Sequence, residues 1–313
     1  MTRDLRREVR LQLLVVLFFL LSISCISAAA QQTAAPAHFV VINPVANMYH
    51  QASEDSDVVS QAIYSENVVT VEGLDKAGTT GWVEVRTPDE YTGWMQVSAL
   101  KRVDGKPYAT EGHVVRVAQK SANVYREPDV TKHAPIVTAP WESRLEVVSD
   151  KASDGGRWLK VNLPDGRSGF VQTGDVSSDF TPLTIEQSIE LAKKFLGTTY
   201  TWGGTSSSGY DCSGFTQMIV RQRGTIMPRD ADVQAAWTGV VPVERKDLQP
   251  GDLLFFGRSA DHITHTGMYI GNGFFIHDTT NTHPMVQISK LDDMPWTKLL
   301  VAQRRVKQEA QTK

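Results

Sequence analysis

The feature of this sequence that most constrains its fold is an internal repeat at a constant offset of 76 residues, with no gap. Ala-Asn-Met-Tyr, which starts at Ala46, returns as Ala-Asn-Val-Tyr starting at Ala122. Trp-Val-Glu-Val at Trp82 returns as Trp-Leu-Lys-Val at Trp158. Because the matches share one spacing, they indicate two copies of one module, so we expect several domains rather than one core.

Each copy of the module has the pattern of short β-strands. In the first copy, residues 68–72, 82–86 and 93–97 approximate an alternation of apolar and polar residues, with Gly, Pro and Asp between them. Short strands with frequent turns predict a small all-β barrel. The motif series Ala-Asn-hydrophobic-Tyr, Trp-hydrophobic-x-Val and Gly-aromatic resembles bacterial SH3-type domains. We therefore predict SH3-like domains over 39–103 and 112–178, which either contact wall polymers, shape a neighbouring active site or serve as spacers.

The sequence changes to a helical pattern after residue 179. Thr184 and Gln187 stand at the spacing of a capping box, the side-chain pair that closes a helix start. Apolar residues follow at helical spacing, namely Ile185, Ile189, Ala192 and Leu196. This predicts a third domain over 180–306, followed by a polar tail over 307–313.

The N-terminus has the parts of a secretory signal. Four arginines lie within residues 1–10, a leucine-rich stretch without charge covers 11–26, and small residues follow at 27–30. We predict a signal peptide over 1–30 and export to the periplasm, the cell wall or the medium. A retained membrane anchor is the alternative, and Cys25 loosely matches a lipoprotein cleavage site, so membrane attachment is expected only with lipidation there.

Charge and cysteine content narrow the function. The formal net charge is −3, and outside the signal no basic stretch indicates a nucleic-acid surface. Cleavage after Ala30 leaves Cys212 as the one cysteine, which cannot form an internal disulfide. Its surroundings therefore decide between a buried apolar residue and a reactive thiol.

The sequence around Cys212 favours the reactive thiol. A segment rich in Gly and Ser precedes this residue, and an amphipathic helix is predicted after it, up to Gly224. Cys212 is thus expected at a helix N-terminus, where free N–H groups and the helix dipole lower a thiol pKa. The same N–H groups can bind an oxyanion.

Two histidines can complete a catalytic set with this thiol. His265 and His277 lie on two predicted strands joined around 271–273, so we expect them side by side. An imidazole beside a thiol can take its proton and later protonate a leaving amine, while a second polar group orients it. The other two candidates, His262 and His283, are interpreted as surface residues.

Taken together, the motifs of the third domain closely resemble the NlpC-type cell-wall cysteine peptidases, which are papain-like enzymes. The motifs are Asp-Cys-Ser-Gly-Phe from Asp211, Pro-Arg-Asp from Pro228, Gly-Asp-Leu-Leu-Phe-Phe from Gly251, His-Thr-Gly-Met-Tyr-Ile-Gly from His265 and Phe-Ile-His ending at His277. With the two preceding modules, the chain resembles the γ-D-glutamyl-L-diamino acid endopeptidases of that plan. The implied fold class is multidomain: two small all-β SH3-like barrels followed by an α+β papain-like catalytic domain.

The resemblance assigns roles to individual residues. It implies Cys212 as nucleophile, His265 as base and His277 as the orienting residue. It also implies a substrate-binding set of Tyr200 at the oxyanion, Asp211 and Ser213 along the cleft, and Tyr91 from the first module. In this set Asp211 is expected to be an exposed carboxylate that binds the free amine of an N-terminal L-Ala. The acid that relatives supply from the first module cannot be assigned.

The sequence departs from that family pattern at two places. Ala231 follows Arg-Asp where several relatives have Ser or Thr, which predicts the loss of one substrate hydrogen bond. Asp278 follows His277 where relatives have a small residue. We expect a monomer without cofactor or metal that acts on peptidoglycan-derived peptides. The alternatives are an amidase acting on another wall amide and a wall-binding protein without catalysis, and the sequence leaves open the diamino acid and whether the substrate is intact wall or released peptide.

Overall fold

A computed structural model of the chain describes residues 36–71, 81–148 and 155–307. The predicted signal over 1–30, with Cys25, and the tail beyond residue 307 lie outside these residues. Within the three described ranges, no helix is both long and apolar enough to cross a membrane.

The first copy of the repeat forms one antiparallel sheet of seven strands. The strands are β1 (His38–Val41), β2 (Val45–Tyr49), β3 (Val58–Ile63), β4 (Asn67–Thr70), β5 (Trp82–Arg86), β6 (Thr92–Gln96) and β7 (Leu100–Val103). Their order in the sheet is β3-β2-β6-β5-β4-β1-β7. Alternate residues of these strands are buried, as in the β5 sequence, where Val83 and Val85 face the core and Glu84 does not.

The second copy repeats this arrangement strand for strand. Its strands are β8 (Val114–Val117), β9 (Ser121–Tyr125), β10 (Val137–Pro140), β11 (Arg144–Val147), β12 (Trp158–Asn162), β13 (Ser168–Gln172) and β14 (Val176–Ser177). They stand in the order β10-β9-β13-β12-β11-β8-β14. The repeated Tyr and Trp pack edge to face in both copies, with ring centroids 5.3 Å apart for Tyr49 and Trp82 and 5.7 Å for Tyr125 and Trp158.

A repeated glycine shows why the sequence pattern recurs. A Cβ on Gly169 would stand 2.5 Å from Val124 Cγ1 and 2.9 Å from the carbonyl oxygen of Tyr125. Strands β9 and β13 therefore approach so closely at this point that only glycine fits. The equivalent position in the first copy, Gly93, faces Met48 in the same way.

The third part of the chain combines helices with a six-stranded antiparallel sheet. Its elements are α1 (Ile185–Lys193), β15 (Thr205–Ser206), β16 (Gly209–Tyr210), α2 (Cys212–Arg221), α3 (Ala231–Ala236), β17 (Val240–Pro242), β18 (Leu253–Ser259), β19 (His262–Gly271), β20 (Phe274–Thr279), β21 (Met285–Lys290), α4 (Trp296–Leu299) and β22 (Leu300–Val306). The sheet order is β17-β22-β18-β19-β20-β21. The capping box predicted for α1 is confirmed, because Gln187 N–H donates to Thr184 Oγ1 at 3.2 Å and Thr184 N–H donates to Gln187 Oε1 at 2.9 Å.

Helix α2 is held against the sheet by its apolar residues. Phe215 and Ile219 are buried in one cluster with Phe255, Met268 and Ile276 of the sheet. All ten residues of α2 except the last are buried. The first residue of this helix is therefore fixed in place by the packing of the whole element.

Both repeat sheets dock onto the hairpin that precedes α2. Thr205 donates two hydrogen bonds to Gln61 of β3, from its N–H to the side chain at 3.2 Å and from its hydroxyl to the carbonyl at 3.1 Å. On the other side, Ser207 Oγ donates to the carbonyl of Lys120 at 2.6 Å and accepts from Trp141 N–H at 3.1 Å. Trp141 itself packs into the third part against Phe195, with ring centroids 4.9 Å apart.

We expect Trp141→Ala to destabilise the third part of the chain. Trp141 is 3% exposed, and truncating a buried aromatic of this size costs roughly 3–5 kcal/mol in the free energy of unfolding. Trp202 is 71% exposed, so Trp202→Ala is the matched control and should cost less than about 0.5 kcal/mol. Denaturant unfolding of both variants is the measurement, and equal losses would contradict the packing role of Trp141.

Candidate active site

Cys212 is the first residue of α2, as the sequence predicts. Asp211 caps the helix by accepting the N–H of Gly214 at 2.7 Å. A Cβ on Gly214 would stand 2.1 Å from the carbonyl oxygen of Gly204, so the preceding loop packs directly on the helix start. The thiol lies near the backbone N–H groups of Ser213 and Thr266, which places it beside β19.

The predicted lowering of the Cys212 pKa is wrong for the resting protein. Burial, followed by the nearby Asp211 carboxylate, raises the pKa of this thiol to about 12. The N–H groups of Thr266 and Ser213 and the charge of Arg229 act in the opposite direction without outweighing burial. Cys212 is 8% exposed. The free-energy cost of removing a thiolate from water is larger than the stabilisation that the N–H groups at the helix start provide.

The two histidines meet across adjacent strands, as predicted. His265 Nε2 lies 2.7 Å from His277 Nδ1. The hairpin between β19 and β20 turns at residues 271–273, all three with positive φ. Burial lowers the pKa of His265 to about 3, and burial together with His265 lowers the pKa of His277. Both rings are therefore neutral in the resting protein.

Ser289 on β21 extends this pair, and no sequence pattern had indicated it. His277 Nε2 lies 3.0 Å from Ser289 Oγ. Two sets of tautomers use every contact, because the Ser289 hydroxyl can accept from His277 Nε2–H or donate to His277 Nε2. The set that suits catalysis has His277 Nε2–H donating to Ser289 and His277 Nδ1 accepting from His265 Nε2–H. This set leaves His265 Nδ1 with a free lone pair, so His265 can act as a base.

Aromatic side chains fix the orientation of the histidine rings. Trp296 stacks on His265 with centroids 5.2 Å apart and meets His277 edge to face at 4.7 Å. Phe256 lies 5.6 Å from His265. Trp296 begins a helix of four residues far along the chain, so only the fold brings it to the site.

Asp211 is not the exposed carboxylate that we expected. It is 7% exposed, and Arg229 binds both of its oxygens, with Nη2 to Oδ2 at 2.6 Å and Nη1 to Oδ1 at 3.0 Å. Gly203 N–H also donates to Oδ2 at 3.0 Å. Ser213 is buried in the same network and accepts from Arg229 Nη1 at 2.8 Å. Through these contacts Asp211 holds the loop and the helix start together.

The buried pair also reaches into the first sheet. Arg229 Nε donates to Ser60 Oγ of β3 at 3.1 Å, and Ser60 is 2% exposed. The capping residue of α2 is thus connected to the first repeat through one guanidinium. Neither Arg229 nor Ser60 received a role from the sequence, because their contact joins residues far apart in the chain.

Tyr91 lies at the boundary between the first sheet and the third part. Its hydroxyl is within hydrogen-bonding reach of the Asp230 carboxylate, and burial followed by Asp230 raises the Tyr91 pKa to about 12. Asp230 precedes α3 without capping it by its side chain, and Ala231 is the first residue of that helix. Burial raises the pKa of Asp230, whose carboxylate is partly exposed and has no salt bridge among the described residues.

Tyr200 lies near the nucleophile. Burial, followed by Cys212, Asp211 and Asp278, raises the pKa of its hydroxyl, which therefore remains a neutral hydrogen-bond donor. His262 and His283 are exposed, which confirms their interpretation as surface residues. His262 Nε2 lies 2.9 Å from Arg258 Nη2.

The chain is similar to known proteins over this site and beyond it. The sequence profile of the NlpC/P60 family matches residues 197–305. The gamma-D-glutamyl-L-lysine dipeptidyl-peptidase of Bacillus subtilis (strain 168) is 32% identical over 263 residues, 80% of this chain and 82% of that protein. The protein of the same name from Bacillus cereus (strain ATCC 10987 / NRS 248) is 32% identical over 235 residues, 70% of this chain and 66% of that protein.

A solved structure extends the similarity to the fold. The crystal structure of an NlpC/P60 family protein from Bacillus cereus ATCC 10987 matches with a TM-score of 0.71 at 25% identity. The match covers 87% of this chain and 99% of that one. The family resemblance inferred from the motifs is confirmed.

We expect Arg229→Met to destabilise the fold and abolish activity. The change leaves Asp211 as a buried charge without a partner, which costs roughly 3–5 kcal/mol in the free energy of unfolding. Arg102 pairs with Asp104 at the surface, so Arg102→Met is the control and should change the stability little. Thermal unfolding of both variants is the measurement, and similar shifts in Tm would rule out the proposed anchoring role of Arg229.

Proposed function

Because this chain belongs to the NlpC/P60 family, we propose that it is a cysteine peptidase that hydrolyses the bond between γ-D-glutamate and an L-diamino acid in peptidoglycan stem peptides. The observation that carries the proposal is the line of His265, His277 and Ser289, joined at 2.7 and 3.0 Å, which starts on β19 next to Thr266, whose N–H faces the Cys212 thiol. The bond itself is inferred from the relatives, which are named for the γ-D-glutamyl-L-lysine bond.

The reaction begins with proton transfer between two neutral groups, the Cys212 thiol and the His265 imidazole. His265 Nδ1 takes the proton of the Cys212 thiol as the sulfur attacks the γ-carbonyl carbon of D-glutamate. The resulting imidazolium keeps its Nε2–H bond to His277 Nδ1, so the positive charge is stabilised without further movement. The positive charge on His265 and the negative charge on the substrate oxygen arise together. Their attraction offsets part of the free-energy cost of placing a charge in a buried site.

The tetrahedral intermediate carries a negative oxygen. N–H groups at the start of α2, other than that of Gly214, and the hydroxyl of Tyr200 are the donors available to it. When the intermediate collapses, His265 returns the proton to the amine of the diamino acid, which leaves. Water then attacks the thioester under general-base catalysis by His265, and L-Ala-D-Glu departs as the thiol reforms.

We infer that Asp230 and Tyr91, rather than Asp211, bind the free amine of L-Ala. The Asp211 carboxylate already accepts hydrogen bonds from Arg229 and from two backbone N–H groups. The Asp230 carboxylate, in contrast, forms no salt bridge among the residues that the structure describes. A carboxylate beside a tyrosine hydroxyl is a fitting partner for an ammonium group. Because Tyr91 comes from the first sheet, that sheet helps select peptides with a free N-terminus.

The two repeat sheets are, in this proposal, SH3-like domains that narrow the cleft. They dock on both sides of the hairpin before α2, at Gln61 and at Trp141. Such crowding favours small released peptides over intact wall. The N-terminal pattern supports export of the enzyme to the wall compartment, with membrane attachment only through Cys25.

We expect the chain to release L-Ala-D-Glu from L-Ala-γ-D-Glu-L-Lys or from its diaminopimelate counterpart, as measured by mass spectrometry. Cys212→Ala and His265→Ala should each reduce kcat at least about a thousandfold, because the acyl-enzyme cannot form. His262→Ala on the same strand is the control and should retain activity. No cleavage of either peptide by the native chain would refute the proposal.

N-acetylation of the substrate should reduce kcat/KM by about tenfold or more, because it removes the charge that Asp230 binds. Asp230→Asn should cause a similar loss on the free-amine peptide and no further loss on the acetylated one. Asp232→Asn, two residues along in an exposed part of α3, is the control. Additive losses in kcat/KM would show that Asp230 does not contact the amine.

A further inference from the structure

Three buried side chains near the nucleophile have polar atoms without a side-chain partner among the described residues. They are Asp278 on β20, Thr266 on β19 and Tyr210 on β16. Each is 0% exposed. The backbone N–H of Thr279 faces the Asp278 carboxyl and lowers its pKa, but no side chain within residues 36–71, 81–148 and 155–307 bonds to this carboxyl or to the hydroxyls of Thr266 and Tyr210. We call these three residues the buried acid cluster.

Asp278 and His277 face opposite sides of the sheet. His277 packs with Phe275 and Trp296, while Ile276 belongs to the cluster that covers α2. Because side chains alternate along a strand, Asp278 points with Ile276 toward α2. The hydrogen bonds of His265 and His277 run to each other and to Ser289, and neither histidine bonds to the Asp278 carboxyl.

Strand register brings Asp278 close to the nucleophile. Met268 pairs with Ile276, and a Cβ on Gly267 would stand 2.9 Å from His277 Cβ, so Thr266 comes opposite Asp278. Thr266 is the residue whose backbone N–H faces the Cys212 sulfur. Tyr200 lies near both Cys212 and Asp278, so the buried acid cluster is close to the point where the reaction creates negative charge.

The ionisable groups described around Asp278 are two neutral tyrosines and one paired carboxylate, with no cation among them. They are Tyr200 from the loop before β15, Tyr210, and Asp211 at the start of α2, whose own charge is already paired with Arg229. No cation contacts the Asp278 carboxyl among the described side chains. Burial, followed by Asp211, raises the pKa of Asp278 to about 8, so the acid is neutral at pH 7.

We propose that Asp278 supports the reaction only as a neutral carboxylic acid, and that its ionisation stops catalysis by opposing the negative charge that forms at Cys212 and at the oxyanion beside Tyr200. The inference rests on the proposed function, in which that negative charge forms on the γ-carbonyl oxygen. An added buried charge acts through a low dielectric and weakens the Tyr200 hydroxyl as a donor. Asp278 is in this sense a residue that sets the upper pH limit of the enzyme.

The test is the pH dependence of kcat for L-Ala-γ-D-Glu-L-Lys hydrolysis by the native chain and by Asp278→Asn. Above the Asp278 pKa of about 8, native kcat should fall about tenfold per pH unit. The Asn variant should hold its kcat within about twofold from pH 7 to pH 9.5. The pH dependence of kcat reports ionisations in the enzyme–substrate complex, so ionisation of the amine of unbound substrate does not affect it. Any ionisation of the bound substrate affects the native chain and the variant equally.

Asp175→Asn is the matched control, because burial raises the pKa of Asp175 as well but this residue lies in the second repeat sheet. Its profile should follow that of the native chain. If Asp278→Asn does not fold, Asp278→Ser takes its place with the same expected result. An alkaline fall in kcat that is equal in the native chain and in the folded variant overturns the inference, and so does a native kcat that stays constant to pH 9.5.

Stability gives a second readout. The pKa of Asp278 is raised in the folded state. The contribution of its protonated form to the free energy of unfolding is therefore complete below the unfolded pKa of about 3.9, and it is lost as the pH rises to the folded pKa of about 8. The unfolding free energy of the native chain minus that of Asp278→Asn should therefore fall across this window, and a constant difference contradicts the neutral acid. Absence of cleavage at every pH contradicts the proposed function instead, so the two failures are distinguishable.

Discussion

The pair between Asp211 and Arg229 is the interaction on which the arrangement of the site depends. It lies out of contact with water, with Nη2 and Oδ2 2.6 Å apart and side chains 1% and 10% exposed. Through Asp211 it fixes the start of α2, where Cys212 stands, and through Arg229 it reaches Ser60 in the first sheet. A buried pair of this kind tolerates the loss of neither partner, because the remaining charge has no water to solvate it. The first sheet is therefore connected by hydrogen bonds to the helix start that carries Cys212.

Burial dictates the charge state of the chemistry. It raises the pKa of the Cys212 thiol and lowers the pKa of His265, so both groups rest in their neutral forms. The histidine pair, Ser289 and the stacked Trp296 hold the ring ready to receive a proton. In the proposed mechanism, charge then appears only when the substrate is in place. A neutral thiol also resists oxidation, because oxidation requires the thiolate.

Local sequence signals predicted the parts of this fold, and long-range contacts decided how they fit. The repeat, the capping box at Thr184 and the turn at 271–273 depend on neighbours in sequence and could be identified directly. The pairing of Asp211 with Arg229 and the stacking of Trp296 join distant segments, and no periodicity indicates them. The expected sign of the Cys212 pKa shift was wrong for the same reason, since the depth of burial is a property of the assembled fold.

The central claim is that Cys212 carries the γ-D-glutamyl group as a thioester during the reaction. Rapid mixing with L-Ala-γ-D-Glu-L-Lys, acid quenching within one turnover and mass spectrometry of the digested chain measure this directly. The account predicts an L-Ala-D-Glu acyl group on the peptide that contains Cys212, formed before free product accumulates. Turnover of the peptide with no adduct, or with the adduct on another residue, would contradict it.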